Sequence, residues 1–195
     1  MIKYAEDGVV PSVESARRVF ARQRAFTEHC AGQLDDAAFF AELAPGLNSV
    51  GVTMQHVAGN LKSRWTDFLT SDGEKPWRTR EAEFAGPSGD LAAARRTIEA
   101  DWAEGWRLLG VALEDAEAAG PEVQVTIRGV PHSVELAIAR QLDHYGYHVG
   151  QIATVARGLV GSAGWKWFTV APGGTATFNR SLGYASGADT VGGSR

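Results

Sequence analysis

Gln141-Leu142-Asp143-His144-Tyr145-Gly146-Tyr147-His148-Val149-Gly150-Gln151 is the stretch on which the fold turns. Outward from it, Ile138, Leu142, Tyr145, Val149, Ile152 and Leu159 recur at the spacing of one apolar helix face. Beside them runs a second line, Ala137, Gln141, His144, His148, Gln151 and Val155. Successive members of that line lie about 40–60° apart around the axis and so share a face. Two histidines four apart project together with Cβ atoms about 5–6 Å apart, close enough for both imidazoles to reach one ion. Ser133 is a good N-cap, so the helix is predicted to run from there to about Val160. Gly161 suits the left-handed position beyond its C-terminus.

A second helix shows the same arrangement. Its apolar stripe is Val50, Met54, Val57, Leu61, Trp65 and Phe68, and a polar line of Thr53, His56, Asn60 and Ser63 runs beside it. It starts at Asn48 or Ser49 and is expected to end near Leu69. Upstream, Ser12 caps a helix that carries Val13, Ala16, Phe20, Phe26, Cys30 and Leu34, followed by a short turn over Asp36 to Leu43 and a break at Pro45-Gly46. Downstream, a loop of about 20 residues rich in turn-forming pairs leads to Asp90. Asp90 caps a third long helix marked by Leu91, Ala94, Ile98, Trp102, Gly105, Leu109 and Ala112, which Gly120-Pro121 ends. Val123 to Arg128 alternates like a half-buried strand, Gly129 permits a turn, and Val130 to His132 forms a return arm. Trp165, Trp167, Phe168 and Phe178 mark an ordered tail that frays after about Gly183. The expectation is an all-α domain over residues 1–195, an antiparallel four-helix bundle with a small β-hairpin before the last long helix.

Bulk properties remove several function classes. The formal charge of −4 is mild and the cations are scattered, so no basic patch marks a nucleic-acid footprint. Cys30 is the one cysteine, which forbids an intrachain disulfide or a multi-cysteine zinc site. The N-terminus is charged early and lacks the apolar core of a secretory signal. No apolar run reaches the roughly 18–20 residues of a membrane helix. These features read as a soluble cytoplasmic protein. No Gly-X-Ser-X-Gly and no dinucleotide fingerprint occurs.

His56, His144 and His148 are the candidate metal ligands. A lone histidine such as His56 reads more simply as a solvent-edge or core residue. The pair on one helix and the third on a parallel polar seam favour a shared ion. Three neutral imidazoles suit zinc, nickel, copper or iron(II) rather than magnesium or calcium, and leave positions open as a catalytic site requires. Asn60 and Gln151, one turn from His56 and His148, are either partners for the outer ring nitrogens or solvated amides. Other candidates are weaker. His29 and Cys30 point about 100° apart on a helix, and Cys30 falls on the apolar stripe. His132 reads as a turn residue, and Asp72 to Trp77 as solvated charges or a gate. Glu28, Asp67, Asp143 and Tyr145 are candidate general bases, none of them decisive.

His56 together with His144, His148 and the following Val149-Gly150-Gln151-Ile152 resembles the DinB-like/YfiT-like superfamily of metal-binding four-helix bundles. The stretch from Asn48 through His56 to Pro76, with Val125 to Gly129, Trp167 and Phe178-Asn179, is similar to a branch of unknown function. The resemblance covers roughly residues 10–182. It implies one divalent metal, nickel or zinc, on His56, His144 and His148, and frequently a homodimer. Characterised relatives include thiol S-transferases that use bacillithiol or mycothiol, a mycothiol-dependent isomerase and metal-dependent hydrolases. The expectation is therefore a metal-dependent enzyme acting on a small molecule, as a low-molecular-weight-thiol S-transferase. The alternatives are a hydrolase and a non-catalytic metal-binding dimer. The resemblance assigns no catalytic residue.

Overall fold

Caps fix where the helices begin. The side chains of Ser12, Ser49, Asp90 and Ser133 accept from the backbone N–H of Ser15, Val52, Ala92 and Leu136, each taking up a donor that the first helical turn leaves unpaired. In the computed structural model, which describes residues 12–120 and 122–184, these caps open α1 (Val13–Ala31), α3 (Val50–Trp65), α4 (Leu91–Ala119) and α5 (Val134–Val160). Between α1 and α3 lies the short α2 (Asp36–Phe39), a 3-10 turn spans Arg80–Phe84, and α6 (Thr175–Ser181) closes the described chain. The protein is mostly helical, with one antiparallel hairpin of β1 (Gln124–Ile127) and β2 (Val130–Ser133).

Each of the four long helices packs against two others, α3 on α4 and α5, and α1 on α5 and α4. Phe20 of α1 meets Trp65 of α3, Trp106 of α4 and Tyr145 of α5 at ring-centroid distances of 5.8–6.2 Å, so one aromatic cluster joins all four. Large rings at the centre bury much apolar area, which is the main force holding the helices together. Gly105 lets α4 approach α3 closely, since a Cβ there would lie 2.6 Å from the Cβ of Leu61.

Several boundaries differ from the sequence expectation. The second long helix ends at Trp65 rather than near Leu69, because Thr66 turns extended and Asp67 takes a positive φ of 48°. Phe68 is buried all the same, which is why the apolar spacing overruns the helix. Helix α1 stops at Ala31, and Leu34 reaches the core from the following turn. Gly161 has positive φ, but its ψ of 158° is extended rather than left-handed helical. The tail does pack, with Phe168 stacked on Phe26 and His29 bound through Nε2 to the Lys166 carbonyl. It also forms α6, which no apolar periodicity announces, and Phe178 on it is exposed. The expected fraying beyond Gly183 falls almost wholly outside the described residues.

The loop after α3 is tied down, not solvated. Asp72 accepts from the backbone N–H of Glu74, Arg128 and Gly129 at 2.7–2.8 Å. These bonds outweigh the opposing effect of burial and hold its carboxyl below the usual range. Arg128 and Gly129, both at positive φ, form the two-residue turn of the hairpin, as a type I′ turn requires. Lys75 is buried, its ammonium on the Asp72 carbonyl and its N–H on Ser63 Oγ. Asp72 thus clamps the loop to the hairpin, and Lys75 fastens the same loop to α3. Among the described residues no helix is long and apolar enough to cross a membrane.

Candidate metal centre

Helix α3 contributes His56 and helix α5 contributes His144 and His148. One nitrogen of each ring lies within 4.8 Å of the others, the only such cluster of metal-ligating groups among the described residues. His144 Nε2 and His148 Nε2 stand 3.2 Å apart. Two of the three outer nitrogens are committed. His56 Nδ1 is 2.8 Å from Glu83 Oε2, and His148 Nδ1 is 2.8 Å from Gln151 Oε1. Both partners are acceptors, so each ring carries its proton on Nδ1 and turns the Nε2 lone pair inward. His144 Nδ1 is buried without a partner. The donor set fits a divalent transition ion: three neutral imidazoles, with acceptors on the outside of two of them.

Glu83 is the residue that sequence reasoning misses. It sits on the 3-10 turn of the long loop, buried against α3, where its carboxylate also takes a two-point grip from Arg78 Nε and Nη2 at 2.8 Å each. Burial alone would raise its carboxyl, but the His56 and Arg78 bonds and the Arg78 charge bring it below the ordinary value. Phe84 stacks on the His56 ring at 4.6 Å, fixing its plane. The signal that could have found Glu83 is Gly59, a glycine inside a helix where no turn needs it. A Cβ at Gly59 would lie 2.2 Å from Glu83 Oε1.

Gln151 does pair with a ring nitrogen, whereas the Asn60 side chain bonds elsewhere and not to the His56 ring. Asn60 Oδ1 accepts from the Tyr145 hydroxyl, which in turn accepts from Trp65 Nε1. Tyr145 is fully buried and its pKa is driven upward by that burial, so it is no general base. Glu28 pairs with Arg24 and Trp102, and Asp67 lines a separate cavity with Asp115. Asp143 alone of the four candidate bases lies in the cavity that reaches His144. Cys30 is in the core, its thiol pushed up to about 11 by burial. His132 lies on β2, bonded to the Val130 carbonyl and in contact with Arg140.

A cavity of about 520 Å³ opens beside His144, walled by Asn60 and Arg64 of α3, Arg140 and Gln141 of α5, and Ile127 and Arg128 of the hairpin. A cavity of similar size, lined by Phe26, Trp165, Trp167 and Phe168, contains none of the three histidines.

Burial pushes the His144 imidazole down to about 3, with His148 and His56 acting in the same direction. It pushes His148 down to about 4, against the effect of Gln151. Imidazole in an unfolded chain titrates near about 6.5, so below that value the unfolded chain takes up protons that the folded one refuses. The stability these neutral rings allow is full above about 6.5 and falls as pH falls from there. Chelator-treated protein is expected to show a urea midpoint that declines steadily from about pH 7 to about pH 5. A flat midpoint over that range would mean that the rings are not held neutral.

These features define a mostly helical protein with a three-imidazole cluster in which His56 is buried and His144 is half-buried. The chain belongs to the DUF1572 family, described as proteins of unknown function, whose profile matches residues 10–174. Comparison with curated proteins and with solved structures returned no match.

Proposed function

We propose that the chain is a metal-dependent enzyme of the DinB-like superfamily, an antiparallel four-helix bundle in which His56, His144 and His148 hold one divalent ion, zinc or nickel. What supports this is the convergence of the three imidazoles with outer nitrogens bound to Glu83 and Gln151. The cluster offers three donors, one fewer than a closed tetrahedral site uses, and the cavity at His144 gives a small molecule access. When bound, such an ion supplies Lewis acidity and lowers the pKa of a water or thiol at its remaining position. The chain's own groups orient and exclude. Glu83 and Phe84 hold the His56 ring, Gln151 holds His148, and the Tyr145–Asn60 bond keeps that part of the wall in place. A homodimer and a cytoplasmic location belong to the same reading.

The reaction proposed is thiol S-transfer: a low-molecular-weight thiol would give up its proton to solvent, and its sulfur would form a bond to an electrophilic carbon positioned in the cavity as that carbon's leaving group departs as an anion. In cobalt-substituted protein, a physiological thiol is expected to produce a sulfur-to-metal charge-transfer band. It is also expected to react with an electrophile faster than the free thiol at neutral pH. If no thiol in a panel perturbs the spectrum while water still exchanges at the ion, hydrolysis is the better reading. If the ion is closed to water as well, its role is structural.

A further inference from the structure

We propose that the cavity beside His144 receives a small molecule through a carboxylate group, which pairs with the guanidinium of Arg64. The reacting end of that molecule would lie at the three histidines, and this half rests on the function proposed above. The anion-binding half stands on separate observations.

Asn60 and Arg64 are four apart on α3, and Arg140 and His144 are four apart on α5, so two facing helices each present a neighbouring pair to the cavity. Arg64 is only 5% exposed, yet its Nε and Nη1 have no hydrogen-bond partner, and among the described residues no carboxylate forms an ion pair with it. The other arginine buried nearby makes the contrast. Arg78 is gripped by Glu83 and lies 3.8 Å from Glu74. A buried charge without a partner is among the most costly features a fold can carry, and natural proteins rarely keep one unless something pairs with it. The loop keeps Arg64 in place, because Gly73 leaves room for its Nη1 where a Cβ would come within 2.3 Å.

The charge count selects the ligand class. Of the three guanidinium groups on the cavity wall, Arg128 is offset by Glu74 at 3.1 Å, Arg140 touches the uncharged His132 ring, and the Asp143 carboxylate on the same wall offsets one further positive charge. The one positive charge left in that balance matches the single charge of a carboxylate better than the charge of about −1.5 to −2 on a phosphate. Planar pairing with a carboxylate is also what a guanidinium does best. Gln141 Oε1, enclosed on the same wall without a donor, adds an acceptor for a hydroxyl or N–H elsewhere on the molecule.

The test uses the full chain stripped of metal by chelator, so it is independent of whether the histidines bind an ion. Calorimetry with benzoate is expected to give saturable binding, with neutral benzamide weaker by about tenfold or more. Arg64→Met should abolish the preference for benzoate and raise the thermal midpoint of the ligand-free protein, because an apolar chain replaces an unpaired buried charge. A residue that merely supports the fold would lower that midpoint instead, and that result overturns the proposal. So does benzoate binding that survives Arg64→Met, or no benzoate binding up to about 10 mM. Binding of inorganic phosphate without benzoate overturns the carboxylate assignment in favour of a phosphate ester. Should Arg64→Met fail to fold, Gly73→Ala serves, since its Cβ displaces the guanidinium while keeping the charge. It too must lose benzoate, and unchanged affinity counts against the proposal. Metal content, measured in parallel, reports separately on the histidines.

Discussion

Alanine in place of His148 is expected to weaken zinc or nickel binding by about a hundred- to a thousandfold. Apparent binding energies near 10–16 kcal/mol for four-ligand zinc sites assign about 2.5–4 kcal/mol to each ligand, which is two to three powers of ten. His56→Ala and His144→Ala should fall in the same range, because the three nitrogens form one compact group. Elemental analysis after dialysis against a competing chelator, on protein made without a histidine tag, measures this. Full metal content in all three variants would remove the centre from consideration. The folded apo protein should survive the changes, since the aromatic cluster is built on Phe20, Trp65, Trp106 and Tyr145, and of the three histidines His144 meets it at one ring, Tyr145 at 5.5 Å.

Glu83→Gln has the larger effect on stability. The Arg78 and Glu83 side chains are 3% and 10% exposed, so the pair is shielded from solvent. A glutamine keeps one acceptor oxygen, turns an NH₂ toward a donor and leaves the Arg78 charge without its main partner. Breaking a buried pair in this way costs about 3–5 kcal/mol. The same change removes the carboxylate that orients His56, which in known sites costs about 10–100-fold in metal affinity. Urea unfolding of the metal-free protein and metal competition of the loaded protein separate the two effects. A variant with unchanged urea midpoint would show that the Arg78 charge is relieved elsewhere.

The histidine cluster was legible in the sequence because it rests on helical periodicity alone. His144 and His148 share a turn, His56 lies on a polar seam beside an apolar stripe, and helix packing brings the seams together. Gln151 was legible for the same reason, being three residues beyond His148 on one helix. Glu83 and Arg78 were not, because their places depend on how an irregular loop of the right length folds back on α3, which local pattern does not encode. Arg64 was hidden differently. It follows Asn60 by one turn, but a lone arginine near a helix end reads as solvated, and only the packed loop and hairpin reveal its burial. Thr175 to Ser181 lacks an apolar face, so α6 gave no signal.

The clamp of Asp72 on the Arg128-Gly129 turn joins stretches 56 residues apart into a single heritable unit. Arg128 holds a left-handed backbone at φ 54° that a non-glycine residue adopts reluctantly, and the carboxylate bond to its N–H supports it. A one-residue slip in the hairpin would turn every side chain to the opposite face and carry Arg128 away from the cavity. Length changes between Trp65 and Lys75 therefore have to be matched by changes at the hairpin, even though this stretch looks like a freely variable linker. Extra length is better accommodated at Gly86 and Gly89, where the space beside the backbone is open. The stretch from His56 to Lys75 and the hairpin tip are in this sense fixed as a matched pair, while the chain between them is free to vary in length.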